Sequence, residues 1–398
     1  MPAENKFPNR LLYEERNLTM TVRIENAYIF NTEKRCFEYG SLCFENGTII
    51  KRVLFPDAVI DAAGGYLLPG FIDVHTHGRN GMDIMEADSK TLSALSRSYA
   101  KSGVTTLFPT VMTAPMDKLK KAIENIKNTR TVADFAGIHI EGPYISAKKP
   151  GCHNIPDIRP LDIPEIFELT ESILPYRTHL TVAPEEDTDG LIAAFMERFG
   201  ACGGSVAIGH SNADYATCVK ALGDGANAFT HTFNAMTAIG HREPGVAGAA
   251  LATDSYAELI CDGVHVSPAV IHMAYHAKTA FNDKFVLVTD SITPAGLPDG
   301  DYEMNGIKFT LKDGKAATKE GTIVGSALDM MTAVKNLAAF ANIRFEDALI
   351  CATKSPAEMV GIYESRGSLT VGKRADLILC DKQMNISDVY CAGVSVYH

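Results

Sequence analysis

Two histidines two residues apart, His75 and His77, close the apolar run Phe71-Ile72-Asp73-Val74. In a β-strand, side chains two apart point to one face, about 6.5–7 Å from each other. Two imidazoles so placed at a strand end can grip one metal ion. Taken alone, the pair also reads as two partly buried histidines with no metal. Further residues of ligand type follow other apolar segments: Glu141 after Phe135–Ile140, His210 after Val206–Gly209, His231 after Ala226–Thr230 and Asp290 after Phe285–Thr289. Histidines and carboxylates suit a divalent metal, and Zn, Fe, Mn or Co all accept such a set. A cation of this kind lowers the pKa of bound water from about 15.7 to about 7, which is the chemistry of hydrolysis.

The elements that must position these residues alternate. Candidate strands are 71–74, 105–109, 135–140, 180–183, 206–209, 226–230, 258–261 and 285–289. Amphipathic segments separate most of them, among them 89–102, 116–128, 190–199 and 215–222. Eight such units predict a (β/α)8 TIM barrel, and all six ligand-type residues fall at C-terminal strand ends, where barrel enzymes build their sites. Asp299–Gly325, with its Asn305-Gly306 and Asp313-Gly314 turns, reads as a β insertion, and 329–341, 345–352 and 356–360 read as helices.

Both chain ends are rich in short β segments. Before the barrel these are 21–24, 27–29 and, after the Glu45-Asn46-Gly47 turn, 48–53. After it come 366–369, 375–380 and 386–396. They predict one small β-sandwich domain built from residues 20–68 and 364–398, around a barrel spanning 69–363. Residues 1–19 read as a poorly structured extension.

Other histidines read differently. His179 opens its strand and is expected at the opposite end of the barrel. His139, one layer below Glu141, reads as a hydrogen-bonded core residue, and His272 with His276 as a surface or packing pair. The net charge of −11 and the absence of tryptophan argue against nucleic-acid binding. No apolar run reaches membrane-spanning length. Nine cysteines without a C-x-x-C pair suggest reduced thiols in the cytoplasm, and no secretory signal is visible at the N-terminus.

The segments PGFIDVHTHG, GIHIEGPYIS, AIGHSNA, THTFNAM, REPG, CDGVHV and VTDSI resemble the amidohydrolase superfamily. Within it they are similar to the branch that deacetylates N-acetylamino-sugar 6-phosphates. The resemblance implies release of acetate from N-acetyl-D-glucosamine 6-phosphate, with the galactosamine epimer or, further off, a cyclic amide as alternatives. It implies Glu141, His210 and His231 as core metal ligands and Asp290 as the catalytic base. It implies His153 as a contact to the substrate carbonyl. Asn234 and Ala235 would offer backbone donors to the phosphate, with Arg242 and His265 completing that pocket and Glu243 orienting Arg242. Members differ at the first strand, so His75 and His77, with Asp290, imply one or two metals per subunit, zinc foremost. No carbamylated-lysine motif is evident, which leaves Glu141 as the bridging carboxylate. Relatives are commonly dimers, so a homodimer is expected, with Arg242 acting in its own subunit or its neighbour's.

Overall fold

The computed structural model describes residues 20–304 and 306–397; the expected N-terminal extension, Asn305 of the expected turn and His398 lie outside them. The strand Thr21–Asn31 runs antiparallel to Cys36–Glu45, and Asn46-Gly47 turns that strand into Thr48–Ile50. Asn46 and Gly47 have φ of 50° and 74°, the left-handed pair that a tight two-residue hairpin requires. The expected strands 21–24 and 27–29 are one strand, interrupted by a bulge between Ile24 and Ala27. Tyr66–Pro69 lies parallel to Thr21–Asn31 and antiparallel to Leu377–Cys380, which pairs in turn with Ile386–Cys391. Both chain ends thereby enter one eight-stranded sheet. Its own core is built from Val22, Ile24, Leu42, Phe44, Leu67 and Leu377. Residues 366–369, expected as β, form no strand.

Gly70 links that sheet directly to the barrel. A Cβ there would fall 2.1 Å from Thr105 Oγ1, so only glycine allows the approach. The barrel strands are β1 (Phe71–Thr76), β2 (Val104–Met112), β3 (Gly137–Glu141), β4 (Arg177–Val182), β5 (Gly204–Ile208), β6 (Ala228–Phe229), β7 (Tyr256–Ile260) and β8 (Phe285–Val288). Neighbours in this order pair in parallel. The strands are buried on both faces, as the near-continuous apolar runs require. The expected strand 135–140 splits in two. Asp134–Phe135 pairs with β2, and β3 begins at Gly137, whose hydrogen makes room for the Phe108 ring.

Helices pack outside, most of them placed as the amphipathic pattern predicts. Ser89–Lys101 buries Leu92, Leu95, Tyr99 and Ala100, and the Asp88 carboxylate caps it by accepting from the Thr91 N–H at 2.8 Å. Asp162, Asp214 and Asp329 cap later helices in the same way. The β insertion is a four-stranded antiparallel sheet whose last strand, Ile323–Ser326, returns to the barrel mouth.

Closure between β8 and β1 relies on a side chain. Asp290 N–H donates to the His75 carbonyl at 2.9 Å, and Thr76 bridges to Ser291. Beneath them the buried Asp73 carboxylate accepts from Thr289 Oγ1 at 2.6 Å and from the Thr289 N–H at 3.3 Å. Tyr99, from the first helix, joins Gly78 and Ser291 above the seam, at 2.8 Å each. Asp73→Ala should therefore strand buried donors at the seam and cost about 2–3 kcal/mol in urea unfolding. Asp73→Asn, which keeps an acceptor, should cost less; equal losses would show that packing, not hydrogen bonding, sets the penalty.

Candidate metal centre

Each strand end delivers one or two polar side chains to the barrel mouth. β1 supplies His75, β3 supplies Glu141, and the residues just past β1, β5, β6 and β8 supply His77, His210, His231 and Asp290. The last three hold left-handed backbone, with φ of 46°, 29° and 47°. Non-glycine residues rarely adopt it, and it turns each chain sharply so that the side chain points inward. Neighbouring amides hold the turned carbonyls: Ser146 N–H on His210 O, Asn234 N–H on His231 O and Ser326 N–H on Asp290 O, at 2.9–3.0 Å.

Two groups of donor atoms result: His75, His77 and Asp290, and Glu141, His210 and His231. In the second, His210 and His231 Nε2 lie 3.0 Å apart and each is 3.1 Å from Glu141 Oε1. In the first, His77 Nε2 lies 3.2 Å from both His75 Nε2 and Asp290 Oδ1. Glu141 stands between the groups, its Oε2 3.1 Å from His77 and its Oε1 3.4 Å from His75. Ligands at about 2.0–2.2 Å from one ion sit about 3.0–3.5 Å from each other, so these spacings fit a metal. The tautomers fit as well. His210 Nδ1 faces the Lys149 carbonyl at 3.0 Å and is assigned the proton, leaving its Nε2 lone pair aimed at the centre.

The electrostatics also call for a cation. Burial would push Glu141 up, but the His75 charge and the hydrogen bonds of His153, His210 and His231 hold it well below the carboxylate range. Burial likewise opposes ionisation of Asp290, and His75 and His77 bring it to about 2. Burial disfavours charge on His77, yet Asp290 and Glu141 raise it to about 9, and His75 is raised too. Two buried carboxylates thus demand positive charge, which protons or a divalent cation can supply.

A cleft of about 270 Å³ opens above this centre, lined by His77, Glu141, His153, His210, His231 and Asp290, and further out by Asn234, Ala235 and His265. Asp262 fixes the His265 ring through Nδ1 at 2.6 Å, so Nε2 is the nitrogen left for a ligand. Met304 and Val324 of the β insertion form the far wall. A model of the amidohydrolase family matches residues 66–396. The chain belongs to the amidohydrolase family.

The chain is 34% identical to the N-acetylglucosamine-6-phosphate deacetylase of Vibrio furnissii, over 83% of each chain. It is 31% identical to the N-acetylgalactosamine-6-phosphate deacetylase of Escherichia coli O157:H7, over 91% of this chain and 96% of that one. The crystal structure of N-acetylglucosamine-6-phosphate deacetylase from Pasteurella multocida superposes with a TM-score of 0.86 at 30% identity, covering 94% of this chain and 98% of that one.

Ten of the eleven expected site residues meet in or beneath this cleft of the amidohydrolase; Arg242 does not. It is exposed on the loop after β6 and does not line the cleft, and among the described residues neither it nor Glu243 forms an ion pair. The expected orientation of Arg242 by Glu243 is therefore not observed; Glu243 instead closes the loop through its carbonyl to Gly240 N–H at 2.9 Å. His179 also differs from expectation. It is the third residue of β4, and its side chain turns into the barrel under His139, with ring centroids 5.0 Å apart. His139 is the hydrogen-bonded core histidine expected, held by Thr110 and Thr181 at 3.1 and 2.8 Å. His272 and His276 stack at 4.5 Å, away from the cleft.

Three contributors were not legible in the sequence. Thr113 holds His153 Nδ1 at 2.7 Å. Glu258, inside β7, bonds His179 at 2.8 Å and faces His75 Nδ1 at 3.8 Å. Cys152 lines the cleft, but burial and the nearby Glu141 and Asp290 carboxylates push its thiol up to about 12, which leaves no thiolate for attack at neutral pH. Of the three only Cys152 carries a local signal, its place beside His153.

A metal entering the His75–His77–Asp290 group must displace the protons those histidines otherwise hold. With His77 at about 9, its affinity should rise about tenfold per pH unit between pH 7 and 9, and more steeply where His75 also gives up its proton. Competition titrations with a buffered metal chelator would read this slope; a flat profile would mean that these histidines carry no protons before metal binds.

Proposed function

We propose that the chain hydrolyses the acetamide of N-acetyl-D-glucosamine 6-phosphate, releasing acetate and D-glucosamine 6-phosphate in amino-sugar breakdown, with the galactosamine epimer as the second candidate substrate. One observation carries the reading: a metal centre, an ionised carboxylate and a neutral histidine share one end of a small cleft whose other end offers Asn234, Ala235 and His265. Relatives named for both epimers keep the alternative open. Acetate release from each sugar phosphate, with elemental analysis of the same preparation, tests substrate and metal together.

Glu141, His210 and His231 hold the principal divalent ion, and His75, His77 and Asp290 offer a second site. Zinc suits the mixed nitrogen and oxygen donors best, and iron, manganese and cobalt are accepted by the same set. Such an ion supplies Lewis acidity, polarising an amide carbonyl and acidifying water.

The remaining steps belong to side chains. Asp290, ionised and facing the cleft, takes the proton of the attacking water and returns it to the leaving amine. His153 is brought down to about 4, chiefly by burial, so it is neutral at pH 7. With Nδ1 accepting from Thr113, its Nε2–H faces the Glu141 carboxylate at 3.5 Å and can turn this long contact over to the carbonyl oxygen as charge develops there. The sugar phosphate meets the Ala235 backbone N–H and the His265 ring, with Asn234, whose own N–H is held by the His231 carbonyl at 3.0 Å, lining the same end. Arg242 completes that pocket from a second subunit, which makes the active form a homodimer. All nine cysteines are free, which suits a reducing cytoplasm; among the described residues no helix is long and apolar enough to cross a membrane.

Asp290→Asn fits the left-handed backbone, since asparagine tolerates it. It cannot accept the proton, so kcat should fall about 10²–10⁴-fold while the Glu141 site still loads. Near-parental kcat would exclude Asp290 as the base. Arg242→Ala should raise KM for the phosphorylated sugar and leave the slow turnover of the unphosphorylated sugar unchanged. Mixing Arg242→Ala with Asp290→Asn subunits should restore part of the activity if the arginine crosses the interface; equal loss on both sugars would point instead to a structural role.

A further inference from the structure

At the barrel floor, opposite the metal centre, lies a second cavity of about 560 Å³. It forms where the starts of β3 and β4 meet the Asn46-Gly47 hairpin and the loop around Glu364–Arg366. Its volume is within the range of small-ligand pockets. Three guanidinium groups line it: Arg177, Arg366 and Arg374.

Two of the three are partly committed. Arg366 Nη1 donates to Asp134 at 2.8 Å and to Thr106 Oγ1 at 3.0 Å. Arg374 Nε donates to both oxygens of Asp376, at 2.9 and 3.0 Å. Yet Arg366 Nε and Arg374 Nη2 are buried and have no acceptor. Arg177 has no carboxylate partner among the described residues; its Nη1 donates to the Val360 carbonyl at 3.1 Å. Burial and the neighbouring Arg366 charge pull its guanidinium below the usual value. The other carboxylate in the wall, Glu364, is exposed.

Guanidinium forks match the oxygens of carboxylates and phosphates. Arg177 is the one fork in the cavity free of any carboxylate. We propose that this floor cavity binds a small organic anion, its phosphate or carboxylate group seated on Arg177 beside Arg366 and Arg374. The site is independent of the cleft, since no residue lines both.

Titration calorimetry on the metal-loaded full chain tests it, with inorganic phosphate and malonate as separate probes. The parent should take one more equivalent of one anion than Arg177→Gln does, or bind it at least about tenfold more tightly, the loss expected for a charge-assisted hydrogen bond. The anion that shows the difference identifies the head group. Both proteins should share any binding at the cleft, and kcat should stay parental in Arg177→Gln. If that variant fails to fold, Arg177→Lys decides: a point charge without the fork should weaken the same binding several-fold. Identical stoichiometry and affinity for both anions in parent and variant overturn the proposal.

Discussion

The Glu141 carboxylate is the constraint around which the barrel mouth is arranged. It is nearly fully buried, and five histidines from separate parts of the chain approach it within 3.5 Å: His75, His77, His153, His210 and His231. A buried, unpaired carboxylate would cost several kcal/mol. Each histidine offsets part of that cost, and four places in the chain supply them: the end of β1 gives two, and the His153 loop and the ends of β5 and β6 give one each. The price is local strain, visible as left-handed backbone at His210, His231 and Asp290. Strand pairing on either side of those turns over-determines them, which is how a rigid barrel can hold unfavourable conformations at its rim.

Support for the centre extends downward as well. His75 stacks edge-on over His139 at 4.5 Å, His139 lies over His179, and His179 bonds Glu258. Burial and the charges of His75 and His179 drive His139 well below the usual histidine range, so it fills the interior as a neutral ring. Burial would raise Glu258, but the His179 hydrogen bond and the His75 charge hold it at about 2, ionised behind the back of His75. The layer that in many barrels is aliphatic is polar here, and its threonines and histidines satisfy one another across strands. Such a network fixes ring orientations that an aliphatic layer would leave free.

The sequence was informative where chemistry and periodicity coincide. Ligand-type residues closing apolar runs marked His75, His77, Glu141, His210, His231 and Asp290, and the eight-fold alternation marked the barrel. It was silent where a role depends on partners distant in the chain. Glu258 sits in the middle of an apolar strand and gives no local sign that it faces His179, 79 residues away. Thr113 is one threonine among several, and only the approach of β2 to the His153 loop gives it a partner. His179 lies deeper than its sequence context implies because strand starts are hard to locate: β4 begins three residues before Leu180, at Arg177, which moves His179 from the rim to the interior. Arg242 was legible as a phosphate ligand only through resemblance, and the fold of a single chain leaves it facing outward.

Charge balance bears on how many metals such a centre retains. Glu141 and Asp290 bring two negative charges into a desolvated space, and Glu258 is already matched by His179 and His75 from below. One divalent ion at Glu141, His210 and His231 would neutralise the two upper carboxylates. A second ion at His75, His77 and Asp290 would displace the protons those histidines hold and bring further positive charge to the mouth. Metal at the first group would therefore answer the protein's own buried negative charge, while metal at the second would compete with protons.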